Sequence, residues 1–256
     1  MKSFVKLGMA SIFLFIIVSG CASRESYHSQ WIDNQEKLER NKNVYSAEQF
    51  YNSTTREEIE IAFGGPIGDI YKGSSLDIIL QKTDNSVTVD VIWKTERFFS
   101  LGQYEGFDIN RRNEAVAFAA LMSQGANHLV QKAKSFGLNA RLLATFHGSA
   151  DAVPIRSSLF YRGEFHKVVL SELTTTLNGK PQSFIIEAGQ KLTNAKLAAL
   201  RAVFMKTVFN AALRKTGFDF ATTHFEEKFD IKVYNDKKGK QYRYGRITVS
   251  VEEGQE

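Results

Sequence analysis

The stretch Asn194-Ala-Lys-Leu197-Ala-Ala-Leu-Arg201-Ala202 decides how the C-terminal half of the chain folds. Its apolar residues recur at spacings of three and four, and this periodicity predicts a helix from Asn194 to about Lys215. Thr193 or Asn194 can cap its start, and Gly217 is suited to close its end. Asn194 and Arg201 are separated by about two helical turns, so we expect their side chains to lie on the same side of the helix.

The sequence around this helix predicts a second helix and several strands. Asn110 can cap a helix over about residues 111–136, which Gly137 would end. Alternating apolar and polar residues predict strands; these are Ser86–Glu96, Leu138–Phe146, Phe229–Tyr234 and Tyr244–Val251. Gly148-Ser149-Ala150-Asp151 is expected to form a turn, and Phe98–Phe107 a further extended piece.

The order of these elements predicts an α+β fold. Each long helix has a single apolar stripe, so both must cover one face of a small mixed sheet in an α/β sandwich. Extended segments around Phe165–Thr176 and Gln182–Glu187 flank Asn178-Gly179, a hairpin signal. The sequence thus predicts one domain over about 85–253, with a β-hairpin inserted at about 155–189.

The N-terminus has the features of a secretion signal over residues 1–20. Lys2 and Lys6 precede the apolar run Leu7–Val18, which is too short for a membrane span. The run ends in Val18-Ser19-Gly20-Cys21, which resembles the bacterial lipobox, and Cys21 is the only cysteine in the chain. The resemblance implies lipidation of Cys21 (palmitate among the acyl chains). The sorting pattern of such lipoproteins, with alanine rather than aspartate after the cysteine, implies an outer-membrane destination, because residue 22 is Ala22. The alternative is an ordinary cleavage site beside a buried thiol.

The residues between the signal and the domain are polar and carry mixed charges, so residues 21–84 are interpreted as a tether with short helices. Thr55 and Glu58 are spaced as a capping box, which predicts one such helix with Ile59 and Phe63 on one face.

Composition and motifs restrict the function. A net charge of +5, part of which belongs to Lys2 and Lys6, gives no argument for nucleic acid as a partner. A single cysteine excludes an intrachain disulfide and a multi-thiolate metal site. The five histidines are scattered and no hydrolase or kinase motif is present, so we expect neither an enzyme nor a metal or other cofactor.

The order of motifs resembles the OmpA-like peptidoglycan-binding domain family over about residues 98–252. The matching positions are Phe107-Asp108, Gly148-Ser149-Ala150-Asp151, Asn194 with Leu197, Arg201 and Ala202, and the closing strand Tyr244-Gly245-Arg246-Ile247. The resemblance implies binding of a diaminopimelate-type stem peptide. In it, Asp151 would accept the ligand ammonium, Arg201 would hold a carboxylate, and Asn194 would shape the loop.

The sequence also departs from the family pattern. The inserted hairpin enters between Asp151 and Asn194, where it could cover or replace the ligand site. Ala150 stands where the family has a threonine before the aspartate, and Ala198 stands where the family has a serine after the leucine. In the simplest alternative, Asp151 only caps the turn before Pro154 and Arg201 is a solvated helix residue.

Two functions are therefore expected. The first is a non-catalytic outer-membrane lipoprotein, facing the periplasm, that links the membrane to peptidoglycan. The second is an assembly scaffold whose inserted hairpin binds another envelope protein; the apolar candidates for that contact are Phe160, Tyr161, Phe165 and Val168. An enzyme that acts on the cell wall is the function with the least support in the sequence.

Overall fold

The computed structural model describes residues 37, 46–63, 75–83, 86–94, 99, 101–104, 109–155 and 159–253. The chain divides into two compact units, Met1–Ser46 and Ala47–Glu256, and the elements below belong to the second. The predicted signal, Cys21 and Phe107-Asp108 lie outside the described residues.

The predicted helices are confirmed. Residues 47–53 are helical, and α1 (Arg56–Ala62), α2 (Ile109–Ser135) and α3 (Asn194–Leu213) follow. Thr193 caps α3 by accepting a hydrogen bond from the Lys196 N–H, as Thr55 caps α1 through Glu58. Within the described part of the chain, no helix is both long and apolar enough to cross a membrane.

The strands of the described residues form one main sheet and one small ribbon. In chain order they are β1 (Ser75–Lys82), β2 (Ser86–Lys94), β3 (Ala140–Ala150), β4 (Val168–Leu170), β5 (Thr175–Leu177), β6 (Lys180–Pro181), β7 (Phe184–Ile186), β8 (His224–Val233) and β9 (Gly245–Glu253). The order in the main sheet is β1-β2-β9-β3-β8-β5-β6. Strand β3 runs parallel to β8 and antiparallel to β9.

Both long helices pack on this sheet, which confirms the α+β class. Alternate residues of β3 are buried, among them Leu142, Ala144 and Phe146. Strand β3 and helix α3 approach closely at Gly148, where a Cβ atom would lie 2.0 Å from the Ala198 carbonyl oxygen. Because no side chain fits there, the C-terminal end of β3 is fixed against the first half of α3.

The insertion is present and is more than a hairpin. Asn178 and Gly179 both have positive φ and connect β5 to β6, as the hairpin signal predicts. Strands β4 and β7 pair with each other in the separate ribbon. Strand β5 joins the main sheet parallel to β8, which the local sequence did not indicate.

Two predicted boundaries need correction. The tether predicted over residues 21–84 includes β1, which pairs with β2 along its whole length. It also includes Phe50, Ile59 and Phe63, which are buried in the core of the second unit. The domain therefore begins near Ala47 rather than at residue 85. The predicted turn at 148–151 is wrong for its first three residues, because β3 continues through Ala150.

Candidate ligand-binding site

The predicted anion, Asp151, follows directly after β3 and is almost completely buried. Its Oδ2 atom accepts hydrogen bonds from the Arg243 guanidinium, at 2.8 Å, and from the Gly239 N–H, at 3.1 Å. Its backbone carbonyl accepts a hydrogen bond of 2.9 Å from the side-chain amide of Asn194. Asn194 thus ties the segment after β3 to the first turn of α3.

The predicted cation, Arg201, is the largest fully buried side chain of the described residues. Its Nε donates a 2.8 Å hydrogen bond to the Gln103 carbonyl, and its guanidinium donates one of 2.5 Å to the Ser149 carbonyl. The ring of Phe99 lies against the guanidinium, with 4.9 Å between the ring centroid and Cζ. Such contacts offset the cost of removing this cation from water.

The two charges lie close enough to act on each other. Burial, and to a smaller extent the positive charge of Arg243, lower the pKa of Arg201 to about 9, although the negative charge of Asp151 opposes both effects. Burial on its own would raise the pKa of Asp151, but the hydrogen bonds from Arg243 and Gly239 outweigh it and hold that pKa below its usual value. Both groups are therefore charged at neutral pH.

Arg243 is a site residue that the sequence analysis missed. The buried hydroxyl of Ser149 accepts from the Tyr244 N–H at 2.9 Å and donates to the Tyr242 carbonyl at 3.0 Å, which fixes the backbone on either side of Arg243. The Nε atom of Arg243 is buried without a hydrogen-bond partner among the described residues. The only local signal in the sequence is an arginine just before a predicted strand, and the match to the family's closing strand selects Arg246 rather than Arg243.

Arg246 has a different place. On β9 it alternates with the buried residues Ile247 and Val249, and in register it lies opposite His147 of β3. Arg246 therefore lies on the face of the sheet away from the core. The segment that matches the family's closing strand forms β9, but it does not bring Arg246 to Asp151.

The structure thus brings Asp151, Asn194 and Arg201 together at one end of β3, but not in the form expected. In this conformation neither the anion nor the cation is exposed, as direct contact with a ligand would require. Asp151 is paired with Arg243, and Arg201 lies beneath Phe99 and Gln103. The alternative of a solvated Arg201 is wrong, because this side chain has no exposed surface.

The opposite face of the sheet carries a separate polar cluster. His147 lies between Asp230, 3.1 Å from Nδ1, and Thr248, 2.9 Å from Nε2. Thr176 donates a further hydrogen bond of 3.0 Å to Asp230. These residues are cross-strand neighbours that satisfy one another. Among the described residues, no group of three or more His, Cys, Asp or Glu side chains is placed to hold a metal ion.

A groove of about 1360 Å³ lies elsewhere, between α2 and α3. The insertion contributes Arg162, Glu164 and Phe165 to its lining. None of the three predicted site residues lines this groove, so the groove and the charged cluster are distinct.

Comparison with solved structures finds matches of low sequence identity and low TM-score. A MotB-like protein from Desulfovibrio vulgaris shares 15% identity over 85% of this chain and 99% of its own, with a TM-score of 0.39. The cell wall anchor of the T6SS from Pseudomonas aeruginosa has 15% sequence identity over 78% of this chain and 100% of its own, with a TM-score of 0.34. The periplasmic domain of Helicobacter pylori MotB has 10% sequence identity over 72% of this chain and 90% of its own, with a TM-score of 0.35. No protein-family model and no curated protein matches the chain.

Exchange of Asp151 for asparagine should reduce the free energy of unfolding by about 3 kcal/mol at pH 7, because Arg243 would remain as an unpaired buried charge. Since folding lowers the pKa of Asp151, its contribution is complete above the unfolded pKa of about 3.9 and is lost as pH falls through the folded value. Urea unfolding from pH 7 to pH 2 should therefore show the difference between wild type and Asp151→Asn shrinking with acid.

The matched control is Asp236→Asn, which changes an exposed carboxylate of the same loop and should have little effect. A difference between wild type and Asp151→Asn that stays constant over the whole pH range would contradict this account of the ion pair.

Proposed function

We propose that this chain is a non-catalytic protein that binds peptidoglycan through the cluster of Asp151, Asn194, Arg201 and Arg243. The observation that carries the proposal is the convergence of Asp151, Asn194 and Arg201. Asp151 is far in sequence from Asn194 and Arg201, and an insertion separates it from them, yet the fold brings all three to one end of β3. The same residues were selected from the sequence by their resemblance to the OmpA-like motif.

The chemistry of the cluster suits a stem peptide that carries diaminopimelate. This amino acid has two carboxylates and two ammonium groups when unincorporated, so its recognition needs fixed charges of both signs. The guanidinium of Arg201 can hold a carboxylate through two parallel hydrogen bonds, and Asp151 can accept from an ammonium. With Arg243 included, the three side chains carry one more positive than negative charge, which favours an incoming carboxylate.

The proposed attachment to the outer membrane rests on Cys21, and the described residues do not include it. An acylated Cys21 would hold the chain at the membrane, because several acyl chains anchor far more firmly than one. The folded unit that begins at Ala47 would then face the periplasm. A modest affinity for each stem peptide is sufficient there, since the wall presents many copies of the ligand.

Co-sedimentation of the full chain with purified sacculi tests this function. Arg201→Lys keeps the positive charge but removes the planar guanidinium, which can hold a carboxylate through two parallel hydrogen bonds. We therefore expect binding to weaken roughly tenfold, which corresponds to the loss of one charge-assisted hydrogen bond. Arg214→Lys is the matched control, because Arg214 is exposed just beyond α3. Equal retention of wild type and Arg201→Lys, with both correctly folded by circular dichroism, would overturn the proposed site.

A competition assay tests the diaminopimelate specificity in the same system. A soluble stem peptide with diaminopimelate should release the chain from sacculi at lower concentration than the same peptide with lysine, which lacks the second carboxylate. Equal release by the two peptides would retain wall binding but remove the proposed specificity.

A second candidate function is the binding of an envelope protein by the insertion. The structure corrects its expected contact residues, because Tyr161 and Val168 are buried and only Phe160 of the four is exposed. Other apolar side chains of the insertion are exposed instead: Val169 at 61%, Ile185 at 56% and Leu173 at 88%. Val169 and Ile185 are directly opposite each other in the β4–β7 ribbon, and together they form an apolar pair on its outer face.

A photo-crosslinking residue at position 173 should form an adduct with such a partner in intact cells. Val169→Asp combined with Ile185→Asp should abolish the adduct and leave sacculus binding unchanged. Lys180→Asp combined with Gln182→Asp, at exposed positions of the same insertion, should preserve it. Persistence of the adduct in the first double variant would contradict a role for the apolar pair. Surface variants are preferable to deletion here, because Tyr161 belongs to the core.

A further inference from the structure

The segment that covers Arg201 consists of Phe99 and Leu101–Tyr104, which we call the closing strap. It lies between β2 and α2 in the chain, and it contacts Arg201 in two ways. The Gln103 carbonyl takes the hydrogen bond of the Arg201 Nε, and the Phe99 ring lies against the guanidinium. Nε–H is one of the donors with which an arginine holds a carboxylate in the two-bond arrangement, so the closing strap occupies part of the position that a ligand would take.

The closing strap is attached at its other end to the insertion. The Tyr104 hydroxyl donates a hydrogen bond of 2.5 Å to Glu164 Oε2. The Tyr104 ring also packs edge-on against Tyr161 and Phe165, with centroid distances of 5.9 and 6.1 Å. Tyr104 is buried by these contacts, and they hold Gln103 over Arg201.

The middle of the closing strap is less buried than its two ends, Phe99 and Tyr104, and is therefore held by fewer contacts. Gly102 has a φ of +75°, a conformation that side-chain-bearing residues rarely adopt. Leu101 beside it is 46% exposed, and Gln103 is only partly buried, so a released Gln103 carbonyl can be hydrated. A carboxylate carries a full negative charge and can accept two parallel hydrogen bonds from a guanidinium, whereas the Gln103 carbonyl accepts one, so a ligand can replace Gln103 at Arg201.

We infer that the closing strap is an autoinhibitory element: it holds the site closed by placing the Gln103 carbonyl on Arg201, and the insertion keeps it there through Tyr104. This inference rests on the proposed function, since it concerns access to the same site. It gives the insertion a defined role, which is to set the fraction of molecules whose site is open. The apparent affinity for peptidoglycan falls in proportion to that fraction.

Sacculus binding by full-length strap variants tests this inference. Tyr104→Ala removes the attachment to Glu164. Gly102→Ala strains the strap backbone and would place a Cβ atom 3.3 Å from Leu159 Cδ2, while it removes no contacting side chain. Both should bind sacculi at least about tenfold more tightly than wild type, because each shifts the population toward the open site. Leu101→Ala is the matched control within the strap and should bind as wild type does.

Hydrogen exchange on the ligand-free full chain gives a second readout. The amides of residues 101–104 should exchange faster in Tyr104→Ala and Gly102→Ala, while those of β3 should not change. This comparison separates local opening from general unfolding.

The outcomes distinguish the inference from the proposed function. If wild type and both strap variants bind sacculi equally, the closing strap does not inhibit and the proposed function stands. If no variant binds, including those whose strap exchanges fast, both are overturned. Binding that appears or strengthens only when the strap is released supports both.

Discussion

The burial of Arg201 is the constraint on which the site depends. A guanidinium without contact to water requires partners that replace its hydration, and the fold supplies two backbone carbonyls and an aromatic ring. The Ser149 carbonyl is available because β3 continues through Ala150, where a turn was predicted, and because Gly148 lets α3 approach the strand closely. The packing of β3 against α3 and the burial of the Arg201 charge therefore depend on each other. A shift of β3 against α3 would remove the Ser149 carbonyl that accepts a hydrogen bond from the buried guanidinium.

Asp151 and Arg243 complete this arrangement from the other side. Their ion pair is held by backbone contacts from the segment before β9, in which the Gly239 N–H contacts the carboxylate and Ser149 fixes the residues around Arg243. The insertion, between Asp151 and Asn194 in sequence, does not separate them in space, because Asn194 still binds the Asp151 carbonyl. The inserted residues instead extend the sheet through β5 and contact the closing strap through Glu164.

The parts of the fold that could be predicted from sequence are those with local signals. Helical periodicity located α2 and α3, Thr55 and Thr193 marked helix starts, and Asn178-Gly179 marked the turn between β5 and β6. The pairing of β1 with β2 was not predicted, although the two strands are consecutive in the chain, because residues 75–82 were assigned to the tether. The addition of β5 beside β8 was not predicted, because it depends on contact between distant segments.

The same limit applied to the site. Asp151, Asn194 and Arg201 were found through motif spacing, which is a property of the sequence. Arg243 was missed because its role comes from hydrogen bonds that Ser149 makes across the fold, and no spacing encodes them. The covering of Arg201 by Gln103 was missed for a similar reason, since a backbone carbonyl leaves no trace in residue type.

The most direct test of the central claim is a crystal structure of the chain bound to a diaminopimelate-containing stem peptide. The account predicts a ligand carboxylate on the Arg201 guanidinium, a ligand ammonium at Asp151, and the Gln103 carbonyl displaced from Arg201. A peptide bound at another surface, with the Gln103 carbonyl still on the Arg201 Nε, would contradict it.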